Sequence, residues 1–177
     1  MTIYHKSVAI VDSENVFYSF KSSNYNNPYE YYFSIAKSLK ILGIKEVIIP
    51  IPQNNPKVCK YMGLFSKFLR KFGIKVTTIE VIGSQNKDDR LDTEIERIAL
   101  ELSPNSNIVI ISNDQDFLTE YKGGYLKNNN VYLLLTSRRS SSSFLRSEYF
   151  SDRVLKLWNI LKKPWNYKNF FNKVRVK

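Results

Sequence analysis

Short apolar runs alternate with longer amphipathic ones along this chain. Ser7 to Val11, Glu46 to Ile51, Ile74 to Ile82, Asn107 to Ile111 and Val131 to Leu135 are rich in Val and Ile, often at successive positions. Runs of that kind suit strands covered on both faces, the situation in a parallel sheet. The stretches between them, Tyr29 to Leu42, Pro56 to Phe72, Leu91 to Leu102 and Asp116 to Leu126, read as helices. In the second, Val58, Met62, Phe65, Leu69 and Phe72 form one apolar stripe, and in the third Leu91, Ile95, Ile98 and Leu102 do the same. Gly43 and Gly73 fall just past two helix ends, where a left-handed cap needs no Cβ. The alternation predicts a Rossmann-like three-layer α/β/α sandwich, with a mostly parallel sheet of about five strands in the order 3-2-1-4-5.

In such a sheet, ligands bind beyond the carboxyl ends of the strands, at the crevice where the strand order reverses. The first run ends in Asp12, within VAIVDSEN, and the fourth runs into Asp114 and Asp116, within ISNDQDF. With strands one and four adjacent, these three carboxylates meet at the crevice. Asp92 opens the amphipathic helix that precedes the fourth strand, so it joins the same cluster if that helix starts at the carboxyl end. Four unpaired carboxylates would repel one another and raise their own pKa values, a conflict that a divalent cation removes. The bland alternatives are helix caps at Asp114 and Asp92. The co-occurrence of all four in this order favours a site. DSENVF holds no glycine, so the first turn is not a dinucleotide phosphate loop.

Composition narrows the chemistry. One His and one Cys leave too few ligands for zinc, and too few bases for a two-histidine ribonuclease or a Ser/His hydrolase. Hard carboxylate oxygens point to Mg²⁺ or Mn²⁺, and acid-lined Mg²⁺ is then the remaining route to phosphodiester cleavage. At 177 residues and 43% hydrophobic content the chain suits one domain with a sizeable core. Nothing approaches the ~20 apolar residues needed to span a bilayer, and the first residues do not resemble a signal peptide. With a lone cysteine, a reducing, cytoplasmic setting is expected. A homodimer is left open.

The formal net charge of +11 implies an acidic partner. It is unevenly spread: residues 138–177 hold 11 Lys and Arg against two acidic residues. Arg138 and Arg139 open a serine-rich loop, RRSSSS, whose guanidinium groups suit phosphate as well as they suit a flexible surface. Residues 162–177, KKPWNYKNFFNKVRVK, read as a basic aromatic tail beyond a domain covering residues 1–161. Lys162, Lys163 and Lys168 there would contact phosphates, and Trp165, Tyr167, Phe170 and Phe171 would stack on unpaired bases. Docking of those aromatics on the domain or on an anionic membrane is the competing role. Lys57, Lys60, Lys67, Arg70, Lys71 and Lys75 form a further basic stretch, for which a solvated helix face is the favoured reading.

The acidic positions resemble the NYN domain, a branch of the PIN-like nucleases. The similarity rests on a strand ending in Asp12 with Asn15 three residues on, a lysine-bearing loop before a helix aspartate (Lys87 and Asp92 in KDDRLDTEI), and SNDQDF with Asp114, Asp116 and Phe117. It continues through VYLLL to SSSFLRSEYFSDRVLKL, so it covers about residues 7–161. The chain departs from the pattern at Asn113, where the family has glycine, and at Gln115, where it has serine. The resemblance implies a PIN-like α/β/α nuclease that cleaves RNA in preference to DNA. It makes Asp12, Asp92, Asp114 and Asp116 ligands of Mg²⁺ or Mn²⁺, directly or through water, with Asp88 or Asp89 as substitutes for Asp92. It further implies that Asn15 orients Asp12 or a substrate phosphate, and that Ser112 adds a hydroxyl at the rim among the nucleic-acid contacts, with Lys87. The alternative is a catalytically silent nucleic-acid-binding module on the same fold.

Overall fold

The computed structural model of the chain describes residues 6–82, 87–118, 130–147 and 152–173. Six strands form one parallel sheet: β1 (Lys6–Val11), β2 (Glu46–Pro52), β3 (Lys75–Val81), β4 (Ser106–Ile111), β5 (Val131–Leu135) and β6 (Val154–Lys156). Their order is β3-β2-β1-β4-β5-β6, so β1 and β4 are neighbours at the centre, paired from Lys6 with Ser106 to Val11 with Ile111. The expected order holds and gains a sixth strand. That strand has three residues, too short to leave a periodic signal.

The helices are α1 (Ser13–Ser19), α2 (Pro28–Leu42), α3 (Pro56–Lys71) and α4 (Lys87–Leu102), then the short α5 (Ser143–Arg146), α6 (Leu157–Lys162) and α7 (Phe170–Lys173). Asn27 and Asn55 cap α2 and α3, accepting from Glu30 N at 2.9 Å and Val58 N at 3.3 Å, with proline as the first helical residue in each case. Gly43 and Gly73 take φ of +86° and +74°, which end α2 and α3 in the left-handed region. The Asp116–Leu126 helix begins as a 3₁₀ turn, Gln115–Leu118, and the rest of that expectation lies outside the described residues.

Alternate residues of the central strands feed two separate cores. Ala9, Val11, Val109 and Ile111 pack with Tyr31, Ile35, Leu39, Met62 and Phe65 from α2 and α3. Val8, Ile10, Ile108 and Ile110 pack on the other face with Leu91, Ile95 and Ile98 from α4. Burial of both faces explains the unbroken apolar runs. The edge strand β3 is mostly exposed or half-buried and reads TTIEV rather than VAIV, as its position requires.

The C-terminal segment is not free of the domain through residue 173. Phe171 is buried in the α2/α3-side core, its ring 5.1 Å from that of Tyr132, and Asn169 N–H donates to Ile41 O at 2.8 Å. The expectation that Phe171 is available to stack on bases is therefore corrected, and Phe170, half-buried beside it, is largely engaged too. Among the described residues no helix is long and apolar enough to cross a membrane.

Candidate functional site

The site is built where β1 and β4 end. Asp12 N–H donates to Ile111 O at 3.1 Å, which holds the chain past β1 against the end of β4. The Asp12 carboxylate is 4% exposed and caps α1, accepting from Asn15 N at 3.4 Å through one oxygen. Its other oxygen accepts from Ser112 Oγ at 2.8 Å, and Ser112 Oγ in turn accepts from Asp114 N at 3.2 Å. Asp114 and Asp116 are both half-buried, and Asp114 Oδ1 accepts from Asp116 N at 2.9 Å, opening the 3₁₀ turn. The cap reading of Asp114 thus describes one of its oxygens.

Electrostatics bring the distant carboxylates together. Burial, foremost, pushes the Asp12 pKa up to about 7, and the negative charges of Asp92 and Asp114 push in the same direction. The bonds from Ser112 and Asn15 work against them and lose. Three elements, β1, α4 and the loop after β4, therefore place mutually repelling carboxylates at one end of the sheet. Among the described residues, no three acidic, His or Cys side chains stand in a ready-made metal cage.

The loop after β4 is fixed by a residue that sequence reasoning treated only as a departure. Asn113 is buried, and its Oδ1 accepts from Thr136 N and Ser137 N, both at 3.0 Å. Its Nδ2 donates to Thr136 Oγ1 at 2.8 Å and Ser19 Oγ at 3.0 Å, while its backbone N–H donates to Asn15 Oδ1 at 2.8 Å. Tyr31 OH joins Thr136 Oγ1 at 2.8 Å and donates to Val16 O at 2.8 Å. One amide side chain thus ties β4 to β5 and α1, Thr136 extends the network to Tyr31 of α2, and the Asp114 loop is held against Asp12. The available signal was an amide between a buried strand and an Asp-x-Asp, with Thr-Ser closing the next strand.

Other expected contacts fall differently. Ser112 is fully buried, its proton committed to Asp12, so it supports the carboxylate and is not a rim contact for nucleic acid. The Asn15 side-chain oxygen faces the β4 loop, and it is the Asn15 backbone N–H that meets Asp12. The side chains of Lys87, Asp88 and Asp89 lie outside the described residues. Arg138 is exposed and stacks its guanidinium 5.0 Å above the Trp158 ring, with Arg139 exposed beside it.

Lys162, Lys163, Trp165 and Lys168 are exposed, but their segment docks at the C-terminal end of α2, through Ile41 and Gly43. That end leads into β2, so it marks the amino edge of the sheet. Residues 164–173 therefore lie toward the opposite edge from Asp12, about 20 Å away for strands of six residues.

No family model matches this chain, and no curated protein matches it. Among solved structures, a protein of unknown function from Vibrio parahaemolyticus RIMD 2210633 is similar with a TM-score of 0.53 at 20% identity, over 88% of this chain and 95% of that one. At that identity the likeness bears on the fold alone.

Proposed function

We propose that the protein is a metal-dependent phosphodiesterase of the NYN/PIN-like kind, acting on RNA, with Mg²⁺ or Mn²⁺ held at the carboxyl end of β1 and β4. The observation that carries this reading is the environment of Asp12. A helix cap needs only an oxygen acceptor, which Asn or Ser supplies without charge. A buried carboxylate facing two others is costly as a cap and apt as a cation ligand.

The donor set suits a hard divalent ion: Asp12, Asp92 and Asp114 supply carboxylate oxygens from three elements, and Asp116 stands two residues further along the same loop. When bound, such an ion lowers the pKa of an attacking water and offsets charge on the phosphate. The protein's own part is positional. Ser112 and the Asn15 N–H hold the two Asp12 oxygens, and Asn113 fixes the loop that presents Asp114.

The test is cleavage of single-stranded and structured RNA with Mn²⁺, with Mg²⁺ and with EDTA. Product is expected with either metal and none with EDTA, and Asp114→Asn should abolish it. Activity unchanged in Asp114→Asn refutes the assignment. RNA binding in EDTA, with no product at any metal concentration, would instead identify a silent binding module.

A further inference from the structure

The basic helix α3 carries more than a solvated face. Its first two turns, the first turns of α2, and α1 with the 3₁₀ turn Phe20–Ser22 enclose a cavity of about 380 Å³. That volume falls within the ~300 to 1,000 Å³ of small-molecule sites. Phe17, Tyr32 and Tyr61 supply aromatic walls, and Lys21, Lys57 and Lys60 supply three ammonium groups. All three lysines are exposed, and among the described residues no carboxylate lines the cavity.

The walls are arranged for stacking. Tyr61 lies nearly parallel to Tyr32, at 18° with centroids 5.9 Å apart, and Phe17 packs 5.5 Å from Tyr61. Lys60 Nζ is 5.9 Å from the centroid of the half-buried Tyr61 ring, so charge lies close to the aromatic wall. Tyr32 is buried, and among the described residues its hydroxyl has no hydrogen-bond partner. An unpaired buried hydroxyl is a cost that a polar ligand edge relieves.

Topology places this cavity at the carboxyl edge of the sheet. α3 follows the end of β2, and α2 runs back to the start of β2, so both helices begin at that edge. Phe17 is five residues beyond Asp12 on α1, about 8 Å along the helix axis. The positive ends of α2 and α3 therefore share the edge with the lysines.

We propose that this cavity is a base-stacking subsite for single-stranded nucleic acid, taking one nucleobase against Tyr61 and Phe17 and the phosphates on either side of it on Lys21, Lys57 and Lys60. Flat heteroaromatic rings match the walls, and a phosphodiester chain matches a rim with three positive charges and no negative one. The proposal rests on the phosphodiesterase reading for its substrate class. It replaces the remote C-terminal segment with a grip on the same edge as the carboxylates. A free mononucleotide carries the same base and phosphate, so chain length is the variable that separates the two sources.

The experiment is fluorescence anisotropy of a labelled twelve-nucleotide single-stranded RNA in EDTA, where binding is read without turnover. Tyr61→Ala should weaken binding about fivefold or more and Tyr61→Phe should restore it, as expected for ~1 to 3 kcal/mol of stacking. The double variant Lys57→Ala/Lys60→Ala should lower the slope of log affinity against log salt by about 1.4, from ~0.7 per phosphate contact. Lys67→Ala/Lys71→Ala, which removes equal charge from the far end of the same helix, should have a much smaller effect. Equal weakening by both lysine pairs overturns the proposal, because the general field would then explain the binding. Unlabelled UMP or AMP competing as strongly as the oligonucleotide also overturns it, in favour of a free-nucleotide site. The two readings fail separately: Tyr61-dependent binding without cleavage sinks the nuclease, whereas metal-dependent cleavage with binding indifferent to Tyr61 sinks the subsite.

Discussion

Replacing Asp12 by Asn tests whether its charge, and not merely its shape, is out of place in the metal-free protein. The native state holds the carboxyl at a pKa of about 7 against an ordinary 3.8, a rise that means the fold prefers the protonated form. At ~1.36 kcal/mol per unit, a rise of about three units corresponds to about 4 kcal/mol. The sign follows from linkage: the raised group costs nothing below pH 3.8, costs progressively more as pH rises toward 7, and costs the full amount above it. Asn is isosteric, keeps an acceptor for Asn15 N–H, and pairs with a Ser112 hydroxyl that can donate or accept. Asp12→Asn should therefore stabilise the protein in EDTA at pH 8 by about 4 kcal/mol, or on the order of 10 °C in melting temperature for a chain of this size. At pH 4 the two proteins should melt together. Urea titrations across that range give the free energies directly, and adding Mn²⁺ at pH 8 should raise the stability of the native protein but not of the variant. A variant no more stable than the native protein at pH 8, or a difference that does not change with pH, refutes the account of Asp12.

Asn113→Ala should destabilise strongly, by about 3 kcal/mol or more, since it strands the buried N–H groups of Thr136 and Ser137 along with other partners; denaturant unfolding measures it. Asn113→Gly, the residue that the NYN resemblance leads one to expect, leaves the same groups unpaired and should cost at least as much. Phe171→Ala should cost about 3 to 5 kcal/mol by opening a cavity beneath α2, while Trp165→Ala, at a side chain 69% exposed, should leave the melting temperature within about 2 °C. Lys168→Ala should leave metal-dependent RNA cleavage of a short oligonucleotide within about twofold, because the neighbouring Asn169 docks at the far edge of the sheet; a loss of tenfold would place this segment in the grip after all.

The sheet was legible because its interior strands are covered twice. Val8 to Val11 and Ile108 to Ile111 are buried at every position, and only a parallel sheet between two helix layers asks for that. Gly43 and Gly73 marked their helix ends through a backbone demand that is local and therefore visible in one sequence. α1 left a weaker trace. It has seven residues, and its N-cap is Asp12, so one side chain carried two meanings and the chemical one drew the attention. Asn113 was opaque for a different reason. Its partners Ser19 and Thr136 are 94 and 23 residues away, and an amide beside an Asp-x-Asp reads as a loop residue until both are brought to it.

The place of the C-terminal segment follows from a strand that the sequence did not show. Counting five strands leaves everything after Leu135 as a closing segment with no fixed direction, so the sequence alone assigns the basic aromatic stretch to neither edge of the sheet. β6 settles the direction: it runs parallel to β5, so the chain leaves it at the carboxyl edge and α6 must carry it back. Residues 164–173 consequently arrive at the amino edge, where Asn169 bonds the end of α2. Composition carries no such vector, because lysines and aromatics look alike whether they bind phosphates, cover a core or do both along one segment. The same reasoning returns Lys57 and Lys60 to the carboxyl edge, since α3 leaves from the end of β2. A basic group's edge in this parallel sheet is decided by how far along its helix it stands, and by that rule Lys57 and Lys60 at the start of α3, not residues 164–173 after α6, stand on the edge that holds Asp12.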